Sequence, residues 1–111
     1  MVEYIFSLVI YGLISLILIG IGVSQIKSKE PVGFYTHEQA PRKQDIVDIE
    51  SWNKRHGIMW IGYGVAMIGV HLICMFIADA ILFSILLLGV TIVPLPLMMW
   101  YHGYLKKKYY R

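Results

Sequence analysis

Two side chains in the most apolar part of the chain have metal-binding chemistry. They are His71 and Cys74, three residues apart, a spacing that places them on one helical face. Imidazole and thiolate bind zinc or copper, but two ligands do not make a site. A third would have to come from a neighbouring chain or from Asp79, about two helical turns away. The simpler reading is that His71 hydrogen-bonds across helices to a serine or tyrosine hydroxyl, while Cys74 packs as a small apolar residue. An ionisable residue in an apolar segment is a functional candidate in its own right. No second acid or base within the apolar runs supports a proton-linked role for His71. No metal and no cofactor is expected.

His56 and His102 lie near the ends of two different apolar runs. If those runs form an antiparallel hairpin they fall opposite each other; the simpler reading places each among lipid headgroups and water. The chain carries no Ser-His-Asp or Cys-His constellation, no phosphate-binding glycine loop and no zinc-protease motif. The acids Glu38, Asp45, Asp48 and Glu50 are balanced by nearby bases. Binding is expected, not catalysis.

The elements that position these residues are set by hydropathy. Of the 111 residues, 58% are hydrophobic and 15% charged, more apolar side chain than a soluble domain of this size can hide. The run 57–78 contains no charge and is long enough to cross a bilayer core of about 30 Å. A second run covers about 4–26 and a third about 81–104. The first has only Glu3 before it, where a secretory signal carries basic residues, so it is read as a retained helix. Gly20 and Ser24, four apart, are its candidates for close helix contact. An unbroken helix over 57–105 would be about 70 Å long, so the chain must reverse near Asp79. Antiparallel packing about that turn pairs positions summing to about 158. It sets Pro94 opposite Gly64 and Pro96 opposite Gly62, with the prolines kinking the third helix and the glycines allowing close approach or a small cavity.

The polar segment 27–56 is loop or extended chain in its first half, broken by Pro31, Gly33 and Pro41. Asp45 then reads as an N-cap, with Asp48 three residues on. Ile46, Ile49 and Trp52 would share a face of a short amphipathic helix that suits the membrane surface and can run into the second span. All ten Lys and Arg residues lie in this segment or in the tail after residue 105. The positive-inside rule makes that side cytoplasmic, with the N-terminus outside. The net charge of +3 comes in short clusters flanking apolar runs, which is a membrane pattern and not a nucleic-acid one. The single cysteine rules out an internal disulfide.

The stretch Gly33-Phe34-Tyr35-Thr36, followed by Trp52-Asn53-Lys54-Arg55-His56-Gly57 at the start of a span, exceeds what insertion alone requires. One reading folds the loop back so that Tyr35 and Thr36 bond to the helix carrying Trp52, Asn53 and His56. This pattern resembles small bacterial membrane proteins related to the immunity protein for the sporulation-delaying toxin, and uncharacterised Firmicutes relatives. The matching positions are Gly33, Tyr35 and Thr36, then Trp52, Asn53 or His56, and Gly57, about a quarter of the chain. It departs in having Tyr35 where arginine is common, and in the longer insertion 39–48. The resemblance implies a protein that engages a peptide toxin or a membrane partner.

The expected object is an all-α membrane protein with three transmembrane helices and a tight hairpin between the last two, in a bacterial cytoplasmic membrane. Gly33, Tyr35, Thr36, Trp52, Asn53 and His56 are the candidate partner-binding residues. Gly62, Gly64, His71, Pro94 and Pro96 are the helix-packing or cavity residues. The alternative to a binding accessory is a homo-oligomeric small transporter or channel.

Overall fold

The computed structural model describes residues 2–34, 40–77 and 79–111. Four α-helices follow one another: α1 (Val2–Lys27), α2 (Ile49–Ile77), α3 (Ala80–Ile92) and α4 (Pro94–Tyr109). No strand occurs among the described residues; a single bridge joins Ile46 to Tyr110. α1, α2 and the α3–α4 pair are each long and apolar enough to cross a bilayer, which makes this a multi-pass membrane protein. Large apolar side chains face outward along all three; Phe6 is 69% exposed and Phe76 84%. In water such a surface would be untenable, whereas lipid is its natural solvent. The molecule is elongated, 52 × 22 × 22 Å, longer than a hydrocarbon core of about 30 Å.

α1 and α2 pack closely and antiparallel. Gly22 meets Gly57, Gly64 meets the Ser15 carbonyl, and Ser7 meets His71. These pairs sum to 79, 79 and 78, a constant register over the helix length. A Cβ on Gly22 or Gly57 would strike the other's carbonyl oxygen, so glycine here sets the approach distance of two backbones. This corrects two expectations. The α1 contact residues are Ser15 and Gly22; Gly20 has open space where a Cβ would be and Ser24 is exposed. Gly64 faces α1, not Pro94. Small residues four apart marked the helix as packable, but its rotational phase was not readable from them.

The chain reverses at Asp79, whose carboxylate caps α3 by accepting from the Leu82 N–H at 2.8 Å. The third span is broken at Val93, and Pro94 opens α4. Proline fits a first turn because its missing N–H has no partner to lose there.

α2 begins at Ile49 and runs unbroken into the apolar stretch. Its cap is Asp48, not Asp45. Asp48 accepts from the Ser51 N–H at 3.1 Å and from the Ser51 hydroxyl at 2.8 Å. These bonds hold its carboxyl below the usual carboxylate range. Asp45 closes a single 3-10 turn, Lys43–Asp45, accepting from the Arg42 N–H at 3.1 Å, which lowers its pKa in turn. Ile46 and Trp52 do not lie on a membrane surface. They are fully buried with Leu105 and Tyr109, and Ile49 packs against them. The end of α4 covers the face that was expected to be lipid-facing.

Candidate functional site

At the basic end of the bundle, α2 acts as a clamp on the loop that follows α1. The Asn53 carboxamide oxygen accepts from the Val32 N–H at 3.0 Å, and its amide nitrogen donates to the carbonyls of Ser28 and Glu30 at 3.1 and 2.9 Å. The Trp52 indole N–H donates to the Val32 carbonyl at 2.9 Å. Backbone groups drawn away from water need partners, and two adjacent side chains bond four of them. Lys43 pairs with Glu30 at 3.0 Å. The C-terminus closes the other side: the Val47 N–H donates to the Tyr109 carbonyl and the Arg111 N–H to the Asp45 carbonyl.

Inside this cap, His56 and His102 meet, Nε2 to Nδ1, at 2.8 Å. His56 Nδ1 lies 2.8 Å from the Trp52 carbonyl, which can only accept, so that nitrogen carries hydrogen. In the neutral pair His56 Nε2 then accepts and His102 Nδ1 donates. Trp52 packs on His56 at 4.2 Å between ring centroids, and Phe34 on His102 at 4.9 Å. Both imidazoles are buried. The two histidines are therefore partners across the hairpin and not headgroup contacts, in the register that sums to 158.

Of the candidate partner-binding residues, Trp52, Asn53 and His56 are buried and their polar atoms are bonded within the chain. They form an interior, not a docking surface. Gly33 lies in the clamped loop, where a Cβ would meet Ala40 at 3.4 Å. Tyr35 and Thr36 lie outside the described residues.

A polar knot joins the three spans at mid-length. The Tyr63 hydroxyl donates to the Thr91 carbonyl at 2.5 Å. The Thr91 hydroxyl donates to the Leu87 carbonyl and so accepts from the Tyr11 hydroxyl at 3.2 Å. Pro94 and Pro96 remove the donors that the Val90 and Ile92 carbonyls would otherwise meet; Tyr63 serves the carbonyl between them. Farther along, the Ser7 hydroxyl donates to the Tyr4 carbonyl at 3.1 Å and lies 2.8 Å from His71 Nε2. With the hydroxyl hydrogen directed to Tyr4, His71 Nε2 donates and Nδ1 remains an acceptor with no partner among the described residues. Cys74 is buried and free. Among the described residues no three His, Cys, Asp or Glu side chains gather as metal ligands.

Two of these pins flank a groove. Between Tyr63–Thr91 and His56–His102, α2 advances seven residues while the third span advances eleven. At about 1.5 Å per residue the second path is longer by about 6 Å. The third span is interrupted at Val93 within that path, and a groove of about 710 Å³ lies between it and α2. Its α2 wall is Ser51, Lys54, Arg55, Ile58, Met59, Gly62, Tyr63 and Ala66, a continuous stripe at helical spacing. Its other wall is Pro94, Leu97, Met98 and Tyr101. Gly62 and Pro94 thus do line a cavity together. Pro96 is exposed, outside it.

The upper walls are apolar and the lower end is cationic. Arg55 donates from Nε to the Tyr109 hydroxyl at 2.9 Å and from Nη1 to the Tyr101 hydroxyl at 3.4 Å. Sequence reasoning missed Arg55, Tyr63, Thr91 and Tyr101 as site residues. The signal was present in the i, i+3, i+4, i+7 stripe on α2, whose small members Gly62 and Ala66 leave room. Comparison with protein-family models, with curated proteins and with solved structures gives no match.

Proposed function

We propose that this protein acts by binding, and that its seat is the groove between α2 and α4, entered sideways from the bilayer. The observation that carries the reading is a groove of about 710 Å³, within the range of small-molecule sites, between membrane-crossing helices. The basic residues at one end support an orientation with the C-terminus and the 27–56 loop cytoplasmic and the N-terminus outside, in a bacterial cytoplasmic membrane. The resemblance of the Gly33–Gly57 region supports the role of an immunity-like or signalling accessory. In that role Trp52, Asn53 and His56 fix the shape of the cap while the groove face meets the ligand.

Gly62→Leu is the direct test. A Cβ at Gly62 meets nothing within 4 Å, so leucine fills the groove without disturbing helix packing. Wild type and variant are purified from native membranes in mild detergent, and everything retained is identified by mass spectrometry. The expected result is a bound species, whether lipid, peptide or protein, present with wild type and lost with Gly62→Leu. Identical profiles from the two would contradict the proposal.

A further inference from the structure

Resting on that reading, we propose that the groove holds one acyl chain of an anionic phospholipid, with its phosphate at Arg55, Lys54 and Tyr101. Three observations carry it. The first is depth. From Arg55 to Ala66 along α2 is eleven residues, about 16 Å, close to the roughly 15 Å of one leaflet of hydrocarbon. A chain whose head lies at Arg55 therefore ends where the groove ends.

The second is lining. Above the cationic end the walls are Ile58, Met59, Gly62, Ala66, Leu97 and Met98, an apolar surface that suits a hydrocarbon chain, with the second acyl chain remaining in the bilayer.

The third is charge. Lys54 and Arg55 line the lower end. Glu50 lies one turn before Lys54 on α2, but among the described residues neither Lys54 nor Arg55 is ion-paired, and Asp48 is held against Ser51, so the mouth keeps two cations. Arginine suits phosphate by presenting several donors in one plane. The Tyr101 hydroxyl already accepts from Arg55, which leaves its own hydrogen for an acceptor in the groove. The mouth thus combines a point charge, a planar donor and a directed hydroxyl at headgroup depth.

The test titrates purified protein in detergent with phosphatidylglycerol and, separately, with phosphatidylcholine of the same chains, reading bound lipid by native mass spectrometry. Wild type is expected to prefer phosphatidylglycerol by about tenfold, the scale of a charge-assisted hydrogen bond. Lys54→Gln, which removes a charge and little packing, should reduce that preference; Tyr101→Phe should weaken binding of both lipids, because both carry the phosphate that its hydroxyl would meet. Gly62→Leu should abolish binding of both lipids, and Lys107→Gln in the tail should change neither. Equal affinity for the two lipids, or full phosphatidylglycerol binding by Gly62→Leu, would overturn the proposal. A peptide or protein recovered from native membranes in a Gly62-dependent way, without lipid selectivity, would overturn the lipid assignment and leave the groove as the binding seat. Loss of both results would remove the groove reading itself.

Discussion

Glycine carries different meanings at neighbouring positions of α2, and substitutions separate them. Gly57 and Gly22 hold two backbones in contact, so Gly57→Val should destabilise the α1–α2 pair by about 1–3 kcal/mol, the usual range for overpacking. Gly62→Ala, into open space, should be close to neutral. Thermal unfolding in detergent reads the difference. Asn53→Ala removes three hydrogen bonds to the 28–32 loop and leaves the part-buried Val32 N–H and Ser28 carbonyl without that partner, at about 1–3 kcal/mol; amide exchange at Val32 should rise sharply. Asp48 gives a pH signature. Its folded pKa lies below 3.8, so its capping contribution is fully present above that value and lost as pH falls through the folded pKa. Below about pH 4 the Ser51 and Trp52 amides should exchange faster, and Asp48→Asn should remove that dependence. At this scale the sequence was legible in type more than in partner. His71 bonding to a hydroxyl was readable, because a polar group in an apolar run must find one. That Ser7 supplies it was not, since helix phase is set by packing along the whole of α1. The cap residue moved from Asp45 to Asp48 because two acids three apart offer the same local signal; in the structure Asp45 turns to the Arg42 N–H and Asp48 to Ser51.

Among elements, the informative one is the third span, broken into α3 and α4. Its register against α2 shifts by one helical turn, from pairs summing to 154 at Tyr63–Thr91 to 158 at His56–His102. The sum of 158 follows from the turn at Asp79 and was legible, as were the three spans and the kink at the prolines. The one-turn shift was not, because it depends on which carbonyl of the third span the Tyr63 hydroxyl meets. Tyr63→Phe removes that bond. It should cost about 0.6–1.7 kcal/mol, the scale of interhelical bonds in membranes, and widen the distribution of α2–α3 distances measured between spin labels at Ala66 and Val90. An unchanged distribution would mean that the pin does not hold the register. The amphipathic face of Ile46, Ile49 and Trp52 was legible as apolar, yet its cover is α4, over fifty residues away in sequence. Periodicity reports that a face is buried, not by what.

For the molecule as a whole, the bilayer solves two problems at once. It solvates the exposed Leu, Ile, Val and Phe side chains, and in the proposed function it supplies the acyl chain that the groove takes. The polar cap at the basic end, with its clamped loop and paired histidines, fixes the lower ends of α2 and α4 and so the width of the groove mouth. The most direct measurement is photocrosslinking in vesicles that contain phosphatidylglycerol with a photoreactive group on one acyl chain. Adducts should concentrate on Ile58, Met59, Leu97 and Met98 and vanish from these positions in Gly62→Leu. Adducts spread over outward residues such as Phe6, Ile17 and Phe76 in proportion to their exposure, and unchanged by Gly62→Leu, would contradict the account.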